Sequence, residues 1–268
     1  MIGFNGTYLT AATHHGMCIT TACLGVQWVI APWHIAPATQ QAILAAFGAE
    51  EGKAVITKTN DYLNAIAATD PARAQQLADF IQEDPLLVCS LVETSKTRWL
   101  VGDGKAWIDT GVPTDNSTNL DIQFMLTNMD NNQCGICSNG TFEIYFWGNN
   151  MEFHCSSNLI LINDVKIDEA YRLEVEDGVY NFYRNGELAT SGSRALGVQS
   201  RSVSLFALNR GTASYMSQAK INHVAIGGKD FLPFTRNNES GMLDIISGTF
   251  HPNANTQGSF TIAITDKA

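Results

Sequence analysis

Positive charge is scarce in this sequence and is nowhere concentrated. Lysine and arginine together number 16 against 26 aspartates and glutamates, which gives a formal net charge of −10. Nucleic-acid backbones and anionic lipid surfaces are bound by clusters of lysine and arginine, and the chain contains no such cluster. We therefore expect no nucleic-acid partner and no attachment to anionic membranes.

Charge of either sign is low as well, at 16% of residues. The surface must then depend on Asn, Thr, Ser and Gln, a composition that is common in extracellular and virion β-proteins and that suits contacts with sugars. Hydrophobic residues make up 45% of the 268 residues. This is enough to bury a sizeable core in one large or two smaller domains.

Cysteines and long apolar runs are also few. Six cysteines are too few for a disulfide scaffold of this length. The apolar run Met17–Trp33 is interrupted by polar residues, and no lysine or arginine precedes Lys53, so it is a poor signal peptide and a poor membrane span. We expect a chain without membrane insertion that is made and folded in a reducing cytoplasm.

Residues 1–95 are predicted to form a small mixed α/β domain. Helices are expected over 37–49, where Gly48 fits a C-terminal cap, and over Asp61–Ala68. A third helix is expected to begin with Asp70 as N-cap and Pro71 in the first turn. The run Leu86–Val92 is strand-like. No catalytic motif occurs here, so the expected role is assembly or anchoring.

From Trp99 onward the pattern changes to short alternating strands, and residues 96–268 are predicted to form a second domain. Apolar residues alternate with polar ones over 120–126, 142–147 and 171–176. Further strands are expected over Ser202–Asn209 and Lys220–Ile226. Asn185-Gly186 is a strong two-residue hairpin turn. The fold class is therefore mainly β, an antiparallel jelly-roll β-sandwich preceded by the small α/β domain.

The C-terminal stretch indicates how the sandwich is completed. Pro233 lies between aromatic residues, as an edge or strand-end proline would. Gly241 and Gly248 bracket a short apolar run that contains Asp244, which predicts a buried segment between two glycine turns. Nothing in this stretch is catalytic in character.

Several ordered motifs in the second domain resemble a known module. The module is the concanavalin A-like, laminin-G-like sandwich. Its entry strand is resembled by Trp107-Ile108-Asp109-Thr110-Gly111, and its hairpin by Val179–Leu188. Its closing signature is resembled by Gly241–Asp244, Ser247–Phe250 and Gly258–Phe260. Such modules occur in surface and phage appendage proteins of gut bacteria. The resemblance covers about Trp99 to Ile264. It implies that Trp107–Gly111 pairs near Ser259–Ile264, with Gly241–Gly248 packed across the end.

Catalysis is not expected. Glycoside hydrolases of this fold carry a sequence pattern that resembles Glu-x-Asp-x-x-Glu, and the chain lacks this pattern. Glu174 and Glu176 share one strand face and are the nearest approach to a retaining pair of carboxylates, which leaves a hydrolase as the least favoured alternative. An outward polar strand face explains them equally well.

No cofactor is expected either, although three sets of residues leave a metal open as an alternative. His14, His15, Cys18 and Cys23 match no standard zinc spacing. Cys134, Cys137 and Cys155 are expected to be buried thiols. The alternatives are a zinc site that His154 and Cys155 complete, and a disulfide from Cys134 or Cys137 to Cys155. The polar loop Asn128–Gln133 is expected to be a solvated turn, with calcium as the alternative.

A binding site is the more natural expectation, because sugars stack on aromatic faces and take hydrogen bonds from Asn, Asp and Arg. The candidate ligand-binding residues are Tyr145, Trp147, Tyr183, Asn209 and Arg210. The alternative role for the aromatic residues is a second core layer or an oligomer interface.

The leading hypothesis is a non-enzymatic phage virion appendage protein, such as a fibre or a tail or head decoration. The sandwich would adhere to a host-surface glycan, and the N-terminal domain would dock it to other virion proteins. The resemblance implies a homo-oligomer, often a trimer. The alternatives are a structural decoration protein without a ligand and a bacterial surface lectin at the cell surface.

Overall fold

The computed structural model describes residues 2–4, 9–11, 19–22, 25–30, 33–129, 134–155 and 158–267. The chain divides into two compact units, Met1–Ser95 and Lys96–Ala268. The possible zinc ligands His14, His15, Cys18 and Cys23 lie outside the described residues, as does most of the Asn128–Gln133 loop.

The first unit combines two short antiparallel hairpins with helices. Gly48 caps the C-terminus of the first helix, with its N–H donating to the Leu44 carbonyl over 2.9 Å, and the carboxylate of Asp70 caps the third helix by accepting from the Arg73 N–H over 2.9 Å. Both caps confirm the sequence prediction. None of the described helices is both long and apolar enough to cross a bilayer. The elements are β1 Ile2–Phe4, β2 Leu9–Ala11, β3 Ile19–Ala22, β4 Gly25–Ile30, α1 Pro37–Phe47, α2 Ala49–Ala67, α3 Pro71–Glu83 and α4 Val88–Leu91.

Two predictions for this unit are wrong. The second helix begins at Ala49 rather than Asp61, because Val55, Thr59 and Leu63 form a buried stripe at helical spacing that starts earlier than the apolar run suggests. The run Leu86–Val92 is not a strand. It forms a 3-10 turn, Pro85–Leu87, followed by α4, since a short and nearly continuous apolar run does not distinguish helix from strand by its period.

The second unit contains two antiparallel sheets. The strands are β5 Lys96–Gly102, β6 Ile108–Asp109, β7 Leu120–Leu126, β8 Cys134–Ser138, β9 Phe142–Trp147, β10 Asn150–Cys155, β11 Asn158–Ile162, β12 Ala170–Glu176, β13 Val179–Arg184, β14 Glu187–Ser193, β15 Ser204–Leu205, β16 Leu208–Asn209, β17 Ala213–Ser214, β18 Ala219–Ile226, β19 Lys229–Arg236, β20 Glu239–Asp244, β21 Thr249–His251 and β22 Phe260–Asp266. The smaller sheet has the strand order β11-β10-β9-β8-β15-β6. The larger sheet has the order β14-β13-β12-β7-β18-β19-β20-β21, with β5 joined to β18 and β22 joined to β5. A short pair, β16-β17, lies outside both sheets.

The core lies between the two sheets. Phe124 of the larger sheet meets Phe146 of the smaller sheet edge-to-face with their ring centroids 6.2 Å apart, and Phe153 meets Tyr180 in the same way at 6.0 Å. The predicted alternation along β7 and β12 is confirmed, because alternate residues of both strands are buried. The predicted mainly β, antiparallel sandwich is confirmed by these two packed sheets.

Turn chemistry sets the register of the hairpin β13–β14. Asn185 and Gly186 both have positive φ angles, 52° and 83°, as the predicted two-residue turn requires. By contrast, the predicted strand Ser202–Asn209 is interrupted at Phe206, whose φ of 64° breaks it into β15 and β16.

The first and last strands of the sandwich do lie side by side, but not the strands that the resemblance implied. The last strand, β22, pairs with β5 from Gly102 opposite Phe260 to Lys96 opposite Asp266, whereas β6 pairs with β15. The implied pairing of Trp107–Gly111 with Ser259–Ile264 is therefore wrong. The cause is Asp103, which accepts from the backbone N–H groups of Lys105, Ala106 and Ser259, so that the chain turns towards the smaller sheet before Trp107.

The C-terminal segment also differs from its prediction. Gly241 lies inside β20 rather than in a turn, and the turn before it is made by Asn237 and Asn238 at positive φ. β20 continues the larger sheet instead of packing across its end, and Ile246 is exposed. Pro233 lies within β19 but beyond Phe231, where the ladder to β18 ends, so its missing N–H removes no bond from that ladder.

Candidate ligand-binding surface

The outer face of the smaller sheet carries a group of polar side chains centred on β9. Phe142, Ile144 and Phe146 point into the core, so the alternate residues Glu143, Tyr145 and Trp147 point outward. On the neighbouring strand β10, Glu152 lies opposite Tyr145 and His154 lies opposite Glu143. Arg210, which follows β16, reaches the same face. The outer-face cluster is defined here as Glu143, Tyr145, Glu152, His154 and Arg210.

Tyr145 is the centre of this cluster and is only 4% exposed. Its ring stacks on that of His154 with the centroids 5.3 Å apart, and its hydroxyl donates to Glu152 Oε2. His154 Nε2 lies 3.0 Å from both the Tyr145 hydroxyl and Glu152 Oε2. Each polar group on these three residues therefore has a fixed position.

The electrostatics of the cluster define which groups donate and which accept. Burial, reinforced by the hydrogen bond to Glu152, raises the pKa of Tyr145 far above its ordinary value. Burial alone would raise the pKa of Glu152, but the hydrogen bonds from Tyr145 and His154 outweigh it and lower that pKa. At neutral pH Tyr145 is thus a neutral donor and Glu152 a charged acceptor.

Arg210 forms a bidentate ion pair with Glu143. Its Nε and Nη2 atoms donate to the two carboxylate oxygens of Glu143 over 2.8 and 2.7 Å, and the guanidinium lies 6.0 Å from the centroid of the Tyr145 ring. The hydrogen bond to Glu143 is the main reason that the pKa of Arg210 is raised. The Glu143 side chain is 7% exposed and that of Arg210 50%, so the pair extends from the sheet to the surface.

Exposed apolar side chains border the cluster. Trp147 is 56% exposed and lies on the same strand face as Tyr145. On the edge strand β11, the half-exposed residues Leu159 and Leu161 lie opposite His154 and Glu152. The surface thus offers a flat aromatic ring and aliphatic groups beside fixed hydrogen-bonding groups, the combination that binds a sugar ring.

The structure gathers three of the five predicted ligand-binding residues, Tyr145, Trp147 and Arg210, on this face. Asn209 precedes Arg210, but its amide nitrogen donates to the Ser202 carbonyl and to Ser204 Oγ, so the side chain fastens its own loop. Tyr183 lies elsewhere, on β13 of the larger sheet.

The outer face of the larger sheet has its own network and a cavity of about 280 Å³. Arg172 donates to both carboxylate oxygens of Asp121 over 2.9 and 2.8 Å and also pairs with Glu174, and its guanidinium lies 5.7 Å from the Tyr183 ring centroid. Asp121, Glu174 and Glu176 all line the cavity. The two glutamates of the hydrolase alternative therefore share a cavity, and Glu174 is held by Arg172.

The cysteines of the sandwich are buried and are not joined by disulfides. This holds for Cys134, Cys137 and Cys155, so the alternative of a disulfide to Cys155 is not realised in the structure. Burial raises the pKa of Cys137 strongly and that of Cys155 to about 12. Across residues 33–129, 134–155 and 158–267, no three His, Cys, Asp or Glu side chains are grouped as a metal site would require.

Sequence reasoning missed Glu143, Glu152 and His154 as members of the cluster. Their outward orientation is readable from the alternation of β9 and β10. Their contacts are not, because these depend on the register between the two strands and on the return of the chain at Arg210.

No protein-family model and no curated protein sequence matches the chain. Among solved structures, the chain is similar to a putative carbohydrate-binding protein from Bacteroides ovatus, with a TM-score of 0.48 and 10% identity over 64% of this chain and 60% of that one. It is also similar to the CBM40 domain of Ruminococcus gnavus IT-sialidase, at 0.39 and 13% over 57% and 98%, and to domains LG4-5 of the mouse laminin α1 chain, at 0.35 and 10% over 49% and 42%. At these values the likeness identifies neither a ligand nor a site in this chain.

Proposed function

We propose that the β-sandwich is a non-enzymatic saccharide-binding module, and that its binding surface is the outer-face cluster together with Trp147. The observation that carries the proposal is the exposed Trp147 ring, which lies on the same outer face of the smaller sheet as Tyr145, Glu152 and Arg210. A sugar ring stacks on the indole, and its hydroxyls exchange hydrogen bonds with the cluster.

The rigidity of the cluster supports this function. The members of the cluster are joined to one another before a ligand arrives, and the Tyr145 ring contacts both His154 and the Arg210 guanidinium. A preorganised surface loses little conformational entropy on binding, which matters for sugars because each of their hydroxyls must first give up water. The half-exposed Leu159 and Leu161 supply apolar area for the less polar face of a sugar.

The test is a glycan array probed with the full chain, followed by titration calorimetry on the strongest hit. Trp147→Ala is expected to weaken binding about five- to tenfold, since it removes a stacking contact worth roughly 1–1.5 kcal/mol. Leu188→Ala is the matched control, because Leu188 is equally exposed, at 56%, but lies on β14 of the larger sheet. The proposal would be refuted by an array without a hit, or by equal saccharide affinity of wild type and Trp147→Ala.

We further propose that the ligand is a host-surface glycan and that the chain is displayed on a phage particle as a homo-oligomeric appendage, with residues 1–95 docking it to other virion proteins. The support is the sequence resemblance over Trp99–Ile264 and a surface poor in charge. Mass spectrometry of purified particles and light scattering of the isolated chain test this. Absence from every particle fraction, or a monomer at micromolar concentration, would argue for a bacterial surface lectin instead.

A hydrolase is the second candidate, and one specific observation favours it. Glu174 and Glu176 line the same cavity of about 280 Å³. A retaining enzyme needs two carboxylates about 5–5.5 Å apart, one of them free to donate a proton. The ion pair of Glu174 with Arg172 instead fixes this carboxylate within the sheet surface, which favours the binding function.

A further inference from the structure

We propose that the saccharide bound by this surface is anionic, and that Arg201 holds its charged group, a carboxylate, sulfate or phosphate. The inference rests on the proposed function, whose binding surface it extends along β9. It assigns the anion contact to a residue that the sequence pattern did not single out.

Arg210, the arginine at the centre of the surface, is already committed. Its Nε and Nη2 atoms both donate to Glu143, which is almost entirely buried. A ligand anion would have to displace this fixed carboxylate from the edge of the guanidinium that makes two parallel hydrogen bonds. Glu152, ionised at neutral pH, adds a further negative charge nearby. Arg210 therefore positions Tyr145 and does not serve as the anion contact.

Arg201 is in the opposite situation. Within the described residues its guanidinium forms neither a hydrogen bond nor an ion pair, and only its backbone N–H is engaged, by Gln199. Arg172, Arg184 and Arg210, by comparison, each pair with a carboxylate. In a chain with 26 acidic and 16 basic residues, an arginine without an acidic partner has its charge available for a ligand.

The guanidinium of Arg201 lies beside two glycines. A Cβ atom at Gly140 would lie 3.2 Å from its Nη2 atom, and one at Gly211 would lie 3.4 Å from its Nη1 atom. Gly140 has a φ of 87° and its missing Cβ would also lie 2.8 Å from the Asn209 carbonyl oxygen. The guanidinium therefore packs against backbone on two sides, in the turn between β8 and β9 and beside the turn that follows Arg210.

This position sets the shape of the ligand. β9 begins at Phe142, two residues beyond Gly140, and extends five residues to Trp147, which corresponds to roughly 17 Å at about 3.3 Å per residue. Arg201 thus lies at one end of the surface and Trp147 at the other, with the outer-face cluster between them. An oligosaccharide that carries a charged group some residues away from its stacked ring fits this arrangement.

The test uses the full chain on an array of oligosaccharide pairs that differ only by a carboxylate, a sulfate or a phosphate group. Wild type is expected to bind the charged member of a pair roughly five- to tenfold more tightly at low salt, since a hydrogen bond to a charged group is strong but is screened at a partly exposed site. The preference should shrink as salt rises. Which of the three groups gives the largest preference identifies the chemistry.

Arg201→Gln is expected to abolish the preference while leaving the neutral members bound as before, and Arg201→Lys should restore part of it. Lys105→Gln, which removes the same charge at another exposed site of the sandwich, is the control and should keep the preference. Equal binding of neutral and charged members by wild type would overturn the inference and leave the proposed function standing, as would equal losses in Arg201→Gln and Lys105→Gln. An array without any hit would overturn both.

Discussion

Asp244 offers a sharp test of how the C-terminal part of the sandwich is stabilised. This carboxylate ends β20 with its side chain 1% exposed, and it accepts from Lys229 Nζ over 2.7 Å. It also accepts from the backbone N–H of Ile246 over 3.0 Å and from the hydroxyl of Ser247. One buried charge thus joins β19, β20 and the turn that leads to β21.

The perturbation is Asp244→Asn, which keeps the size of the side chain but removes its charge and one acceptor. Breaking a buried ion pair from one side costs about 3–5 kcal/mol. Because the Lys229 side chain is 38% exposed and can be rehydrated, the expected cost is about 2–3 kcal/mol. For a unit of this size, that corresponds to a drop in Tm of roughly 4–12 °C.

The matched control is Asp266→Asn. Asp266 pairs with Lys96 over 2.9 Å on neighbouring strands of the same sheet, but its side chain is 82% exposed. The same substitution there should cost less than about 0.5 kcal/mol, because exposed pairs contribute little. Urea unfolding followed by tryptophan fluorescence measures both variants. Equal losses for the two variants would refute the reasoning that burial of Asp244 determines its contribution.

The pH dependence gives an independent check. Burial alone would raise the pKa of Asp244, but the hydrogen bonds from Lys229 and Ser247 outweigh it and hold this pKa below its ordinary value. A carboxyl whose pKa is lower in the folded state stabilises the protein above the unfolded pKa of about 3.9, and the contribution is lost as the pH falls through the folded pKa. The difference in unfolding free energy between wild type and Asp244→Asn should therefore be constant from about pH 5 upward. It should shrink as the pH falls below about 4.

Three further outcomes are expected. The thiols of Cys137 and Cys155, whose pKa values are raised by burial, should resist iodoacetamide at pH 8 in the folded chain and react in urea; full labelling without urea would show that β8 and β10 open readily. Leu77→Ala, at a fully buried position of α3, should cost about 2–5 kcal/mol in urea unfolding, whereas Gln82→Ala, at an exposed position of the same helix, should be nearly neutral. The wild-type chain should release no reducing ends from glucans or galactans; release that Glu174→Gln abolishes would instead make the cavity of the larger sheet a hydrolase site.

Local features of the fold were predictable from the sequence because their causes are local. Asp70 caps α3 within one turn, and Asn185-Gly186 needs only its own two φ angles to make a hairpin. The alternation along β7 likewise reflects a sheet with one buried face. Strand pairing was harder. Whether Trp107 pairs with the last strand depends on Asp103 binding Ser259, a contact 156 residues away along the chain.

The candidate site follows the same division. Tyr145, Trp147 and Arg210 could be proposed from residue type and alternation alone. The pairing of Arg210 with Glu143 could not, because it joins residues 67 positions apart and depends on the interruption at Phe206 that returns the chain to β9. No sequence pattern pointed to Arg201 as a binding residue, since the two glycines beside its guanidinium belong to turns elsewhere in the chain.

The two outer faces of the sandwich differ in a way that bears on which of them binds a ligand. On the larger sheet the polar groups are already engaged with one another: Arg172 pairs with Asp121, and His223 lies 3.0 Å from Asp230 and 3.8 Å from Asp121. A ligand there would have to break existing ion pairs, and Tyr183 already lies against the Arg172 guanidinium.

On the smaller sheet the hydrogen bonds are equally complete within the outer-face cluster, but a ligand need not break them. The exposed ring of Trp147 and the guanidinium of Arg201 lie at the two ends of the cluster and are not engaged by it. Contacts added to an intact network cost less than contacts that replace one. If the larger sheet nevertheless binds the saccharide, Tyr183→Ala should lower affinity and Trp147→Ala should not. That pair of variants therefore decides between the two faces whatever the saccharide is.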